Sequence, residues 1–261
     1  MTKKYIDQLG RTITLPHPPK RIISLVPSIT ELLYDLGLFE QLIGRTKFCV
    51  HPKEELKAIP KIGGTKNVNI DRVIALQPDL IIANKEENDK SQIEQLSQHF
   101  PVWISDIANF TAAMEMIDAL GIIVAKEIAA QQIIKDSTHL LQQLKTQKKR
   151  KAAYLIWQKP YMTIGQDTYI HDMLQHAGYE NVFGEQNRYP SFTLEALKNR
   201  QPAIILLSSE PFPFKQKHME ELALIFPNTP IQLVDGEAFS WYGTRFLKTF
   251  DYLQHLQIIN N

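Results

Sequence analysis

The hydrophobic positions fall into short apolar runs separated by stretches of helical spacing. "RIISLVP" (residues 21–27), "LIIA" (80–83), "VWIS" (102–105), "AAYLIW" (152–157), "AIILLS" (203–208) and "IQLV" (231–234) are runs of the kind that form strands buried on both faces. Weaker strand signals lie near 42–46 and 181–183. Helical spacing is read over 29–36, 69–76, 91–99, about 169–177, 194–199, 215–225 and about 244–256. Strands alternating with helices predict an α/β chain with parallel-rich sheets. Ahead of them, residues 5–15 read as a hairpin around Leu9-Gly10-Arg11, and "PHPPK" (16–20) as a stiff connector. Ser28 and Glu31 have the spacing of a capping box that opens the first helix, and Gly37 stops it.

The middle of the chain breaks the alternation. Residues 126–147 contain neither Gly nor Pro and are rich in Ala, Gln, Ile, Leu and Lys, which predicts one long helix. Over that length it spans roughly 33 Å. It runs into "KTQKKRK" (145–151), a basic run that suits a helix C-terminus and reads as a solvated helix end. The organisation expected is an N-terminal lobe over 1–124, a connecting helix over 125–148 and a C-terminal lobe over 149–261.

The two halves repeat one another. "NIDRVIALQPDLIIANKEEN" begins at Asn69, and "TLEALKNRQPAIILLSSEPF" begins at Thr193. Each runs from a short helix through Gln-Pro into an apolar strand, with an acid, Asp71 or Glu195, six residues before the Gln. Gly37 and Gly44 parallel Gly178 and Gly184, "IEQLSQHFP" parallels "MEELALIFP", and Asp106 and Asp235 each follow a strand. Two similar α/β lobes follow, with a ligand cleft expected between them. In parallel sheets ligands meet the carboxyl ends of the strands. Those ends hold residues 27–28, 84–87, 157–161, 208–210 and 235–241.

Composition bounds the function. The chain has 261 residues, 44% of them hydrophobic and 22% charged, with a net charge near +1. That length predicts two lobes, and that charge points to neither nucleic acid nor an anionic membrane. The single cysteine, Cys49, excludes an internal disulfide and a cysteine-based metal cluster. No apolar segment follows Lys3 and Lys4, and no run approaches the ~20 apolar residues of a membrane span. Two expectations stay open: a cytoplasmic protein, or an exported one whose signal lies outside this chain.

"RIISLVPSITELLYDLG", "GGTKNVNIDRVIALQPDLIIA", the long helix, "GYENVF" and "LEALKNRQPAIILL" together resemble the ABC-importer solute receptors with a helical backbone. That cluster binds cobalamin, haem and iron–siderophore complexes, and the likeness is greatest to its vitamin B12 receptors. It covers residues 20–256. The resemblance implies the class III periplasmic binding protein fold, with two lobes joined by one helix and little hinge motion. It implies a metal-chelate ligand, a corrinoid or an iron chelate, carried without an intrinsic cofactor by a monomer. The partners are an ABC permease and its ATPase, and the location is periplasmic or membrane-associated. It places permease-docking acids at Asp71 and Glu195, where a carboxylate also suits the helix dipole. Aromatic clamp positions fall on Trp157 and Tyr189, with Trp241, Tyr242 and Arg245 beyond them. On the first lobe, Thr65 and Asn84 stand where the receptors carry tryptophans, beside Lys47, Lys66, Lys85, Glu86 and Glu87. Ser28 and Tyr161, at strand ends, and Phe48, in the loop that follows 42–46, complete the candidate ligand contacts.

The signatures of common enzymes are missing from the sequence. It has no G-x-x-x-x-G-K-[ST], no H-E-x-x-H and no C-x-x-C, and Ser28 lacks a G-x-S-x-G context. His51, close to Cys49, is a weak candidate for an axial metal ligand, against the simpler reading of a solvated loop histidine. Trp103, inside an apolar strand, reads as core. The expectation is a binding protein rather than an enzyme. A second reading is a cytoplasmic ligand sensor or enzyme on the same scaffold.

Overall fold

A computed structural model describes residues 1–144 and 149–259. The chain divides into two compact units, one formed by Met1–Ile107, Thr111–Ser137 and Tyr242–Arg245, the other by Ala108–Phe110, Thr138–Trp241 and Phe246–Asn261.

In the first unit, β1 (Thr2–Ile6) and β2 (Thr12–Pro16) form an antiparallel hairpin. A four-stranded, wholly parallel sheet follows, in the order β4-β3-β5-β6, from β3 (Ile22–Ser24), β4 (Leu42–Arg45), β5 (Leu80–Asn84) and β6 (Val102–Ser105). Its helices are α1 (Pro27–Asp35), α2 (Ile70–Leu76), α3 (Lys90–Ser97), α4 (Phe110–Ile123) from Thr111 onward and α5 (Glu127–Gln143) as far as Ser137. The core packs Ile23, Leu25, Val73, Ile81, Ile93 and Leu96 at or below 5% exposure. The hairpin loop covers the free edge of β6, where Gln8 N donates to Ile104 O (3.2 Å) and Arg11 Nη2 to Val102 O (2.9 Å). An edge strand with its backbone groups taken up offers less to intermolecular pairing.

In the second unit, β7 (Arg150–Trp157), β8 (Tyr161–Thr163), β9 (Tyr179–Asn181), β10 (Ser191–Phe192), β11 (Ile204–Ser208) and β12 (Ile231–Val234) form a six-stranded sheet. The order is β10-β8-β7-β11-β12, with β9 also paired to β7. The β7–β11, β11–β12 and β7–β9 pairs are parallel, while β8 pairs antiparallel with both β7 and β10. Its helices are α6 (Tyr169–His176), α7 (Leu194–Asn199), α8 (Gln216–Ala223), α9 (Gly236–Ser240) and α10 (Arg245–Ile259).

Several sequence expectations change. The first helix is not opened by a Ser28–Glu31 capping box: Val26 is the N-cap, its side chain makes no capping bond, and Pro27 takes the first helical position. Proline suits that position because its missing N–H costs nothing there. Helix α4 has no counterpart among the elements read from the sequence. The strand expected over 181–183 forms two residues earlier, directly after the left-handed Gly178 (φ 88°), and Phe183 enters the core instead. The long central helix is described to Gln143; residues 145–148, with most of the basic run, lie outside the described residues. Arg150 and Lys151 of that run belong to strand β7, not to a helix end.

The internal repeat survives at the level of the backbone. Asp71, Gln77 and Leu80 recur as Glu195, Gln201 and Ile204, each 124 positions later (195 − 71, 201 − 77, 204 − 80). Asn69 caps α2 through Arg72 N (2.9 Å), and Thr193 caps α7 through Ala196 N (3.1 Å). Gln77 (φ 44°) and Gln201 (φ 48°) are both left-handed, and each is followed by proline. Gly44 and Gly184 are not equivalent: the first lies inside β4, the second in the turn after β9.

Candidate functional site

The carboxyl ends of each unit's parallel strands carry most of the sequence-predicted site residues. In the first unit, Asn84 ends β5 and is buried. Its Oδ1 accepts from Glu86 N (2.8 Å) and Glu87 N (3.0 Å), and its Nδ2 donates to Ser105 Oγ (3.0 Å). The amide is therefore spent on the turn that follows the strand. Asn88 extends the lattice, donating to Leu25 O (3.2 Å) and Thr65 O (3.1 Å). The Lys66 ammonium binds the carbonyls of Glu86 and Asn88. Lys85 is paired with Asp106 at 2.6 Å. Tyr242 is buried, and burial above all, then Glu87, pushes its ionisation up.

Phe48 behaves differently. It is 50% exposed, with Lys47 Nζ 5.0 Å from the ring centre. Arg45, itself buried, holds its loop by donating to Leu56 O (2.9 Å), Thr46 O (3.2 Å) and Cys49 O (2.9 Å). Cys49 is buried against the hydroxyls of Thr30 (3.0 Å) and Thr46 (3.2 Å), and burial raises the pKa of its thiol. His51 is half-buried beside it, and among the described residues no group of three or more His, Cys, Asp or Glu side chains could hold a metal ion. Arg245 Nε contacts Glu31 Oε2 at 2.9 Å, both side chains largely buried.

In the second unit, Trp157 ends β7 at 39% exposure and meets Phe212 edge to face at 5.6 Å. Phe212 is backed in turn by Phe214 (4.7 Å) and His218 (5.3 Å). Tyr161 stacks on Phe192 (5.9 Å), and Tyr189, half-buried, lies under the Arg188 guanidinium (5.8 Å). Trp241 is buried, its Nε1 donating to Glu210 Oε1 (3.0 Å). The same oxygen accepts from Ser240 Oγ (2.6 Å). Desolvation is the main influence on the Glu210 carboxyl and raises its pKa.

Ser208 answers Asn84 in the repeat. Its Oγ donates to Glu210 O (2.6 Å) and turns the chain at the strand end, as Asn84 does in the first unit. Sequence reading placed Glu210 at a strand end without naming it a ligand contact, and it passed over Phe212. The signal available was "SSEPFPF" directly after the β11 run, an acid between the strand end and a pair of aromatics.

Two cavities lie away from these strand ends. One of about 540 Å³ is lined by Lys149, Lys151, His171, Gln175, Glu185 and Arg200, at the end of the sheet where β7 begins. Another, of about 470 Å³, lies in the first unit by Arg11 and His99. Neither is lined by a candidate ligand contact. Asp71 and Glu195 are both exposed, in the first turns of α2 and α7, with no hydrogen bond or ion pair among the described residues.

The family model described as periplasmic binding protein matches residues 22–223. The chain belongs to the periplasmic binding protein family. Among this family's members it is 29% identical to the vitamin B12-binding protein of Vibrio campbellii over 73% of this chain and 71% of that one. It is 30% identical to an ABC transporter substrate-binding lipoprotein of Bacillus subtilis, over 77% and 67% of the two chains. In structure it matches the periplasmic vitamin B12 binding protein of Vibrio cholerae with a TM-score of 0.78 at 22% identity, covering 94% of this chain and 98% of that one. The periplasmic binding protein fold here is the class III form, with α/β lobes and parallel-rich sheets. No helix among the described residues is long and apolar enough to cross a membrane.

Proposed function

We propose that the protein is the solute-binding component of an ABC importer, that its ligand is a metal chelate of the corrinoid class, and that it makes and breaks no bond. The observation that carries the ligand reading is Trp157, a large aromatic face left 39% exposed at a strand end and braced from behind by Phe212. A flat, rigid macrocycle gains most from such a face, because stacking buries a large apolar area without ordering flexible groups. Phe48 offers a comparable face on the first unit. The names of the vitamin B12-binding relatives agree with this ligand class. The chain holds its ligand outside the cytoplasmic membrane, and Asp71 and Glu195 dock onto cationic side chains of the permease. Their helices are already capped by Asn69 and Thr193, so no local bond accounts for either carboxylate.

Isothermal titration with cyanocobalamin, haemin and a ferric siderophore tests the ligand reading. Cyanocobalamin is expected to bind, and Trp157→Ala to weaken it at least tenfold. Absence of cyanocobalamin binding, or an unchanged affinity in Trp157→Ala, overturns the corrinoid assignment.

A further inference from the structure

The loop after β11 returns to the end of β7, where Phe212 N donates to Ile156 O (3.3 Å) and the Phe212 ring braces Trp157. Glu210 lies in this loop, two residues before Phe212. Its carboxylate is used unevenly. Oε1 accepts two side-chain bonds, from Ser240 Oγ (2.6 Å) and Trp241 Nε1 (3.0 Å). Among the described residues Oε2 has no hydrogen-bond partner and no cation pairs with the group. The remaining charges that act on it are acids, Glu237 and Asp235, which favour its proton as burial does. The position is fixed by backbone geometry as well. A Cβ on Gly236 would come within 2.5 Å of both Glu210 Cγ and Ser208 Oγ, so the chain passes hard against the carboxylate stem.

A half-buried carboxylate with one oxygen satisfied and the other open is an acceptor without a donor. Such a group gains from an N–H and loses against another anion, and both effects grow where water is partly excluded. We propose that Glu210 determines specificity on the Trp157 wall: Oε2 accepts a hydrogen bond from amide or amine N–H groups on the rim of a macrocycle lying against Trp157, and the carboxylate rejects macrocycles rimmed by carboxylates. The inference rests on the reading of that wall as ligand-binding. It narrows the substrate class from metal chelates in general to those with neutral or cationic N–H rims. An amide-rimmed corrin fits this description, and a porphyrin bearing propionates does not.

The test holds the ring constant and changes only its rim. Dicyanocobinamide carries amides where dicyanocobyrinic acid carries carboxylates. Both are titrated calorimetrically into the wild-type protein, Glu210→Gln, Glu210→Asp and Trp157→Ala, with circular dichroism confirming that each variant is folded. The wild type is expected to prefer the amide rim. Glu210→Gln, whose Oε1 can still accept from Ser240 and Trp241, is expected to narrow that preference about tenfold or more, by weakening the amide ring and strengthening the acid ring. Glu210→Asp keeps the charge and is expected to keep the preference. An unchanged preference in Glu210→Gln, or an equal loss in Glu210→Asp, overturns the role of Glu210 and leaves the wall intact. Failure of the wild type to bind either ring, or unchanged binding of both by Trp157→Ala, overturns the reading of the wall, and the inference falls with it.

Discussion

Arg245 Nε lies 2.9 Å from Glu31 Oε2, and the two side chains are 12% and 3% exposed. The pair joins the start of α10 to the middle of α1 inside the first unit. Removing one member of a buried pair leaves the other charge uncompensated, which costs about 3–5 kcal/mol. Glu31→Ala is therefore expected to lower the unfolding free energy in urea by that order. Replacing both residues by apolar ones of similar volume should recover much of the loss. A cost below about 1 kcal/mol for Glu31→Ala would mean that solvent screens the pair. The same experiment sorts the two readings of Arg245. A structural Arg245 gives an Arg245→Met variant with reduced stability and ligand affinity near that of the wild type. A ligand-contacting one gives the reverse.

Gly236 opens α9 where a side chain has no room. A Cβ there would stand 2.5 Å from Ser208 Oγ, 2.5 Å from Glu210 Cγ and 2.9 Å from Glu210 N. One of these atoms is backbone, so the strain cannot be relieved by a rotamer change alone. Gly236→Ala is expected to cost about 1–3 kcal/mol by overpacking. It should also displace the Glu210 carboxylate from Trp241 Nε1, which tryptophan fluorescence would register as a shifted emission maximum. A variant with wild-type thermal midpoint and emission spectrum would refute the crowding argument.

How much of this was legible follows from what each signal depends on. Strands β5 and β11 are read directly because both their faces are buried, which leaves an unbroken apolar run. The caps Asn69 and Thr193 act within three residues, yet neither is read as a cap from the sequence. Helix α4 escapes the same reading because it buries Ala113, Met116, Ile117, Leu120 and Ile123 with little polar relief, and an apolar segment of that kind shows no single stripe. Strands β8 and β10, of three and two residues, are too short to carry a period. For the site, the exposure of Trp157 and the burial of Trp103 were distinguishable in part by position within their strands. The burial of Trp241 was not, since its partner Glu210 lies 31 residues away in sequence. Lys66 and Lys85 read as candidate ligand contacts, and only folding shows them committed to carbonyls and to Asp106.

The cavity at the start of β7 contains a histidine that resists protonation. Asn181 Nδ2 donates to Ile164 O (2.8 Å), which orients that amide, and the same nitrogen lies 3.2 Å from His171 Nδ1. Gln175 Nε2 lies 2.5 Å from the other ring nitrogen, and Lys149 donates to the Gln175 oxygen at 3.1 Å. Burial lowers the His171 pKa, Lys149 adds to the effect, and the acids Asp172 and Asp167 oppose it. A depressed folded-state pKa means that stability is fully present above the unfolded value, about 6.5, and is lost as pH falls below it. His176, lowered chiefly by burial, acts in the same direction. Thermal midpoints measured from pH 8 to pH 5 should therefore fall on the acid side, and His171→Gln should flatten that fall. An identical profile in the variant would remove His171 as a cause.

Asp71 and Glu195 are the last pair to weigh. Each is the second residue of its helix, each helix is already capped by a neighbouring side chain, and each carboxylate is exposed. Near a helix N-terminus an acid gains a little from the dipole, so a local role and a docking role predict different outcomes. A local role predicts that Asp71→Lys and Glu195→Lys lower stability and leave transport in place. Docking predicts stability close to that of the wild type, unchanged ligand affinity, and loss of uptake in cells carrying the cognate importer. Surface substitutions away from packed features usually stay within about 0.5 kcal/mol, so the two outcomes separate cleanly. Each single reversal should impair uptake in part and the double reversal abolish it, because each unit contributes one contact. Full uptake by the double variant would leave the repeated acids without a docking role.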